Sequence, residues 1–129
     1  MSWQKEIDEL KRRKELAAQM GGAEAIDKQH ARGRLTVRER IEILLDPDSF
    51  REIGSIAGNA TYDDEGNLES FTHVARVTGY GTIDQRTVCI EGGDFTIRGG
   101  WADPTSFLSR WFHSRKDGAA VAYSLHQTP

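Results

Sequence analysis

The sequence predicts a small mixed α/β domain, helices first and a β-hairpin after them. Three observations predict it. Residues 36–45 combine a Thr36–Glu39 spacing with apolar residues at Val37, Ile41, Leu44 and Leu45, a capping box followed by one face of a helix. Residues 73–83 and 87–91 are rich in Val, Ile, Thr and Tyr, types that suit a pleated, half-buried surface. Asp84-Gln85 sits between those runs, where a two-residue hairpin turn fits.

Composition bounds the rest. A chain of 129 residues is enough for one small domain and not comfortably for two. A net charge of -3 argues against bulk nucleic-acid binding. The single cysteine, Cys89, excludes an intrachain disulfide framework and a cysteine-rich zinc site. No apolar run approaches the roughly 20 residues that span a bilayer, and the acidic start lacks the apolar stretch of a secretory signal. The expectation is a cytoplasmic chain with no membrane or nucleic-acid partner.

Taken in order, residues 3–20 read as an amphipathic helix. Trp3, Ile7, Leu10, Ala17 and Met20 form its stripe, Ser2 is its N-cap, and Gly21-Gly22 its stop. Asp8–Arg12 and Glu9–Arg13 are acid-before-base pairs four apart. The stripe is narrow, so this helix must lean on its own domain or on another subunit. Residues 23–31 read as a shorter helix ending at Gly33. The helix over 37–45 stops at Asp46-Pro47, because the residue before proline is pushed out of helical geometry. A short strand is expected over 50–56. Residues 58–70, with Asp63-Asp64-Glu65-Gly66-Asn67, read as a solvated polar loop that lacks the spaced ligands of a calcium-binding EF-hand.

The strand runs 73–83 and 87–91 follow. Gly79-Tyr80-Gly81 reads as a bulge, and Cys89 as a buried, inert thiol. Residues 92–100, Gly-Gly-Asp-Phe-Thr-Ile-Arg-Gly-Gly, make a tight passage whose glycines would let backbone come close to a ligand. Asp103-Pro104 reads as a helix start, with Phe107, Leu108, Trp111 and Phe112 on one face and Gly118 as the stop. Residues 119–125 read as a last strand with an open edge.

No complete catalytic set emerges. His30, His73, His113 and His126 make no metal-ligand spacing. Ser109 and His113 share a helix face, but no third group orients them. The glycines of 92–100 are not a phosphate-binding P-loop. Lys28, Arg32, Arg34, Arg38 and Arg40 cluster around a helix start, where a phosphate would be welcome, although solvation accounts for each of them singly.

Two ordered stretches carry a resemblance. Residues 28–52, Lys-Gln-His-Ala-Arg-Gly-Arg-Leu-Thr-Val-Arg-Glu-Arg-Ile-Glu-Ile-Leu-Leu-Asp-Pro-Asp-Ser-Phe-Arg-Glu, and residues 77–100, with Gly-Tyr-Gly-Thr-Ile-Asp-Gln-Arg and Asp-Phe-Thr-Ile-Arg-Gly-Gly, resemble the N-terminal part of biotin-dependent acyl-CoA carboxyltransferases. The β subunit of propionyl-CoA carboxylase and the related decarboxylases belong to that family.

The resemblance implies the N-terminal fragment of a crotonase-like (ClpP/crotonase) fold built of ββα units. It divides the chain into a helical segment, residues 1–34, and the incomplete start of a carboxyltransferase domain, residues 35–129, departing from the family after about residue 103. It implies carboxyl transfer from carboxybiotin to the α-carbon of an acyl-CoA such as propionyl-CoA or acetyl-CoA. Biotin would arrive on a carrier, so no cofactor is bound directly and no metal is needed. The implied partners are acyl-CoA, a biotin carboxylase or biotin carrier subunit, and further copies in a homo-oligomer. The family's glycine-rich oxyanion loops are not found here and Trp101 replaces a small residue, so no catalytic residue is assigned and the isolated chain is expected to be inactive and marginally stable. Lys28, Arg32 and Arg34, by charge, and Gly99 and Gly100, by close backbone approach, are the candidate CoA-binding residues. The competing reading is a non-enzymatic assembly piece that docks through its helices.

Overall fold

The structure, a computed structural model, describes residues 2–100 and the backbone of residues 121–125. Three helices come first, α1 (Gln4–Ala18), α2 (Ala23–Ala31) and α3 (Val37–Leu44). Six strands follow, β1 (Arg51–Ile53), β2 (Gly58–Tyr62), β3 (Leu68–His73), β4 (Arg76–Ile83), β5 (Arg86–Gly93) and β6 (Val121–Leu125). A short 3₁₀ turn, Arg98–Gly100, lies between β5 and β6. The sheet has the order β1-β4-β5-β6, with β6 parallel to β5 and the other pairs antiparallel. Strands β2 and β3 form a separate hairpin.

Helix α3 begins where its capping box puts it. The Thr36 hydroxyl accepts the Glu39 N–H at 3.3 Å, and the Glu39 carboxylate accepts the Thr36 N–H at 2.6 Å, so two otherwise orphaned donors are satisfied. The helix ends at Leu44, with Leu45 extended before Asp46-Pro47. Val37, Ile41 and Leu45 lie on the sheet against Val77, Val88 and Ile90, and Met20, Leu44, Phe50 and Ile83 close the rim. Each such side chain withdrawn from water contributes roughly 1.5–3 kcal/mol, and Ile90 is fully buried at 0% exposure.

The β4–β5 hairpin closes at Asp84-Gln85 with φ of 48° and 66°, the two left-handed residues of a type I′ turn, whose twist matches its strands. Gly79 and Gly81 do not form the expected bulge, since the β4–β5 register runs unbroken. They are sites of close approach. A Cβ at 79 would meet the carbonyl oxygen of Arg51 in β1, and one at 81 would meet the Leu45 side chain.

Other expectations are corrected. Residues 58–70 are not a loop, because β2 and β3 pair there and only 63–67 turn. Their alternation is faint in the sequence because just Phe71 and His73 are buried. The Asp63 carboxylate shapes that turn by accepting the N–H groups of Glu65 and Asn67 at 3.0 and 2.8 Å. The strand expected over 73–83 is split. His73 ends β3, and the corner at Val74 and Ala75 sends its hydrogen bonds elsewhere, Val74 N–H to Ala57 at 3.0 Å and Asp94 N–H to Ala75 at 2.9 Å.

Helix α1 stops at Ala18, and Met20 at φ 52°, before the glycines, takes the left-handed turn. Ser2 is not its N-cap; Trp3 is, with no side-chain cap bond, while the Ser2 hydroxyl accepts the Gln4 N–H at 3.3 Å. Glu9–Arg13 pairs as expected, but Asp8 takes Gln4 and Lys11, and Arg12 takes Glu15. Cys89 is half-buried. Strand β6 confirms the last strand over its backbone; the helix start at Asp103-Pro104, the apolar face at 107–112, the Ser109–His113 pair and His126 lie outside the described residues.

Candidate functional site

The two sequence blocks that carry the resemblance meet at Asp46. From the end of α3, one carboxylate oxygen accepts the Asp84 N–H at 3.0 Å. The other accepts the Gln85 N–H at 2.9 Å and the Thr82 hydroxyl at 2.6 Å. The Asp46 N–H in turn donates to the Thr82 carbonyl at 2.8 Å. The hydroxyl of Thr82, then the turn amides of Gln85 and Asp84, hold this carboxyl below its ordinary range. Residues 28–52 thereby fix the hairpin tip of residues 77–100. The sequence shows Asp46 only as a helix stop, because its partners lie 36 to 39 positions further on.

A second junction ties the glycine-bracketed passage to the helices. The Asp94 carboxylate, in a residue 1% exposed, accepts the N–H and hydroxyl of Thr96 at 2.9 and 2.5 Å. The Thr96 hydroxyl accepts the Gly21 N–H at 2.8 Å from the α1–α2 corner. Gln29, Thr36 and Arg40 face Gly93 and Phe95 across a crevice too tight for a water molecule.

The predicted CoA-binding residues are spread over this surface. Lys28 is exposed on α2, and its ammonium lies 2.7 Å from Glu24, whose carboxyl that hydrogen bond and charge lower. Arg32 is the exposed C-cap of α2. Arg34 stands half-buried in the α2–α3 link, its N–H donating to the Gln29 carbonyl at 3.0 Å. Gly99 and Gly100 lie in the 3₁₀ turn with φ of 66° and 73°. The α2–α3 crevice is lined by neither the three cations nor these two glycines.

His30 Nε2 lies 3.0 Å from both Glu39 oxygens. That bond, followed by the amide and hydroxyl of Thr36, lowers the Glu39 carboxyl to about 2. A half-open groove of about 630 Å³ runs between α3 and β1, floored by Ile41, Leu45 and Phe50. Its two arginines are engaged within the fold: Arg38 grips Glu52 at 2.8 and 3.0 Å, and Arg51 donates to the carbonyls of Asp48 and Phe50. Among the described residues no group of three His, Cys, Asp or Glu side chains could hold a metal. Burial raises the Cys89 thiol, the opposite of what a nucleophile needs.

The carboxyl transferase domain matches residues 28–122, a span that takes in both blocks, the Asp46 junction and β1–β5. The chain belongs to the carboxyl transferase domain family. Over 94 residues the chain is 43% identical to the biotin-dependent acetyl-/propionyl-coenzyme A carboxylase beta5 subunit of Mycobacterium tuberculosis, covering 73% of this chain and 17% of that one. Over 110 residues it is 36% identical to the propionyl-CoA carboxylase beta chain of Roseobacter denitrificans, covering 85% and 20%.

Among solved structures, transcarboxylase 12S with methylmalonyl-coenzyme A bound, described as a hexamer assembly, superposes with a TM-score of 0.62 at 33% identity, over 78% of this chain and 20% of that one. A single-chain, multi-domain long-chain acyl-CoA carboxylase matches 96% of this chain and 14% of its own at TM-score 0.62 and 23% identity, a likeness of fold. The carboxyl transferase domain here is therefore α/β, with the helices, hairpin and sheet of a crotonase-like fold, as the family resemblance implies. The chain spans about a fifth of the length of the relatives it matches.

Proposed function

We propose that this chain is the N-terminal portion of an acyl-CoA carboxyltransferase subunit, one that moves a carboxyl group from carboxybiotin to the α-carbon of an acyl-CoA such as propionyl-CoA or acetyl-CoA. The observation that carries this reading is the family match over residues 28–122, spanning two blocks that Asp46 joins into one unit. In this reading residues 1–34 are a helical lead-in and residues 35–129 begin the catalytic domain. Lys28, Arg32 and Arg34 meet CoA phosphates, where cations suit an anion as point or bidentate partners, and Gly99 and Gly100 lie beside the same ligand. Biotin enters as the cargo of a carrier or biotin carboxylase subunit, a co-substrate of the complete enzyme, and further copies of the chain complete a homo-oligomer. No helix among the described residues is long and apolar enough to cross a membrane; a cytoplasmic setting is part of the proposal.

The reaction's enolate needs preorganised donors, and losing one such donor typically costs ~10²–10³ in rate. Residues 1–129 supplied with carboxybiotin and propionyl-CoA or acetyl-CoA should show no turnover above background; turnover by the pure chain would contradict the proposal. A second reading, an assembly piece, is favoured by α1, whose Trp3 is 68% exposed with Ile7 and Leu10 also exposed on the same stripe. Calorimetric titration with propionyl-CoA separates the two. Saturable binding that Arg32→Ala and Arg34→Ala weaken supports the enzyme reading, and no binding at millimolar ligand supports the assembly reading.

A further inference from the structure

Two surfaces of the fold match each other in shape and charge. The first is a stripe along α1. Trp3, Ile7, Leu10 and Lys14 recur at spacings of three and four, so they share one side of the helix. Another side fastens α1 to the β2–β3 hairpin, where Ala17 is buried and Glu9 and Arg13 meet Tyr62. Trp3, Ile7 and Leu10 are left exposed. Lys14 is exposed too, and among the described residues its ammonium has no carboxylate partner.

The second surface is the groove of about 630 Å³ between α3 and β1, floored by Ile41, Leu45 and Phe50. Arg38 is offset by Glu52, which leaves Glu42, Asp46 and Asp48 against Arg51 along the walls. The groove is therefore acidic. Glu42 and Asp48 are exposed, and among the described residues neither carboxylate has a hydrogen-bond or ion-pair partner. They can take a cation without giving up a contact in the fold.

An apolar groove with acidic walls fits an amphipathic helix that carries large apolar residues and a lysine on one stripe. A helix about 10–12 Å across lies along the mouth of such a groove and lowers one stripe of side chains into it. The chain itself supplies that helix. Within one molecule α1 is committed to β3, so the occupant comes from another copy. We propose that α1 of one copy docks in the α3–β1 groove of a second, with Trp3, Ile7 and Leu10 on Ile41, Leu45 and Phe50, and Lys14 beside Glu42 and Asp48. Stripe and groove are different patches of one molecule, so the contact is head-to-tail. Such contacts close into a ring or run on as a filament. The inference rests on the homo-oligomer of the proposed function, to which it gives a surface, and it does not depend on acyl-CoA.

Sedimentation of residues 1–129 tests this. The parent should be a single chain in dilute solution and associate as concentration rises, less so in salt, which screens the Lys14 contact. Trp3→Ala should weaken association by about thirtyfold or more, as loss of a buried aromatic anchor does. Leu10→Asp spoils the stripe. Glu42→Lys with Asp48→Asn reverses the groove's charge, asparagine being chosen because Asp48 has φ 57°, a conformation Asn tolerates. Circular dichroism checks the fold of each, and Trp3→Ala serves as the stripe variant if Leu10→Asp unfolds. The stripe variant and the groove variant should each remain monomeric alone. Mixed one to one they should form a two-chain complex and nothing larger, because one still has its groove and the other its stripe. Failure of the mixture to pair would overturn the head-to-tail contact. Association that the variants leave unchanged would overturn the groove as its seat and leave the homo-oligomer standing. A parent that stays monomeric at every concentration would overturn both.

Discussion

Helix α3 with the β4–β5 hairpin, and helix α1 with the β2–β3 hairpin, are two attempts at the same task, a helix laid on a pair of strands. They are held together differently. In the first, Val37, Ile41 and Leu45 interlock with Val77, Val88 and Ile90, and Asp46 pins the hairpin tip. In the second, Ala17 and Phe71 are the buried apolar residues, and the helix is fastened at its surface. There the Glu9 carboxylate accepts Arg13 at 2.6 Å and the Tyr62 hydroxyl at 3.1 Å, while Arg13 lies over the Tyr62 ring.

A half-exposed ion pair at the surface contributes little beside buried apolar area. The first unit is therefore the stable nucleus and the second an attached arm. The family match begins at residue 28, so it takes in the whole first unit and leaves α1 outside.

The largest effect should come from cutting into the first unit. Ile90→Ala should destabilise the chain by about 2–5 kcal/mol, the transfer loss plus a cavity, in urea unfolding followed by tryptophan fluorescence. Gly79→Ala should cost about 1–3 kcal/mol by forcing a Cβ onto the Arg51 carbonyl, and strip β1 from the sheet. Thr36→Ala removes the side-chain acceptor of the α3 capping box and should cost about 1 kcal/mol. The matching change in the arm, Ile7→Ala, should move stability by no more than about 0.5 kcal/mol, as at other exposed positions. A loss at Ile7 comparable to that at Ile90 would break the comparison.

Acid sharpens it further. The Glu39 carboxyl sits at about 2 in the fold against 4.5 in the free chain, so the folded state holds fewer protons. Its contribution is fully present above about 4.5 and is lost as pH falls from there through about 2. Glu9 in the arm is lowered too, first by its hydrogen bond to Arg13. Acid titration of His30→Ala should show a weaker acid-induced loss, because His30 is the first cause of the Glu39 shift.

What could be read beforehand follows the same division. Helix α3 is legible because Thr36, Glu39 and the 37–41–44–45 spacing agree, and the β4–β5 hairpin because β-branched residues flank a two-residue gap. Where local signals coincide, tertiary packing has little left to decide. Residues 58–70 read as a loop because the outward positions of β2 and β3 are polar and their buried face amounts to Phe71 and His73. The Gly79 and Gly81 contacts, the Asp46 junction and the His73 corner depend on partners distant in sequence, for which spacing carries no signal. Charge alone marks Lys28, Arg32 and Arg34 as CoA-binding candidates, and charge does not reveal that Lys28 already has Glu24 beside it.

The claim that one unit is the nucleus and the other an arm is tested most directly by residue-resolved amide hydrogen exchange on residues 1–129. Amides of 77–82 and 88–91 should exchange only through global unfolding, with the protection of the most stable part of a fold. Amides of 58–62 and 68–72 should exchange through a local opening that leaves the β4–β5 amides protected. Equal protection in the two hairpins, or slower exchange in β2–β3, would contradict the account.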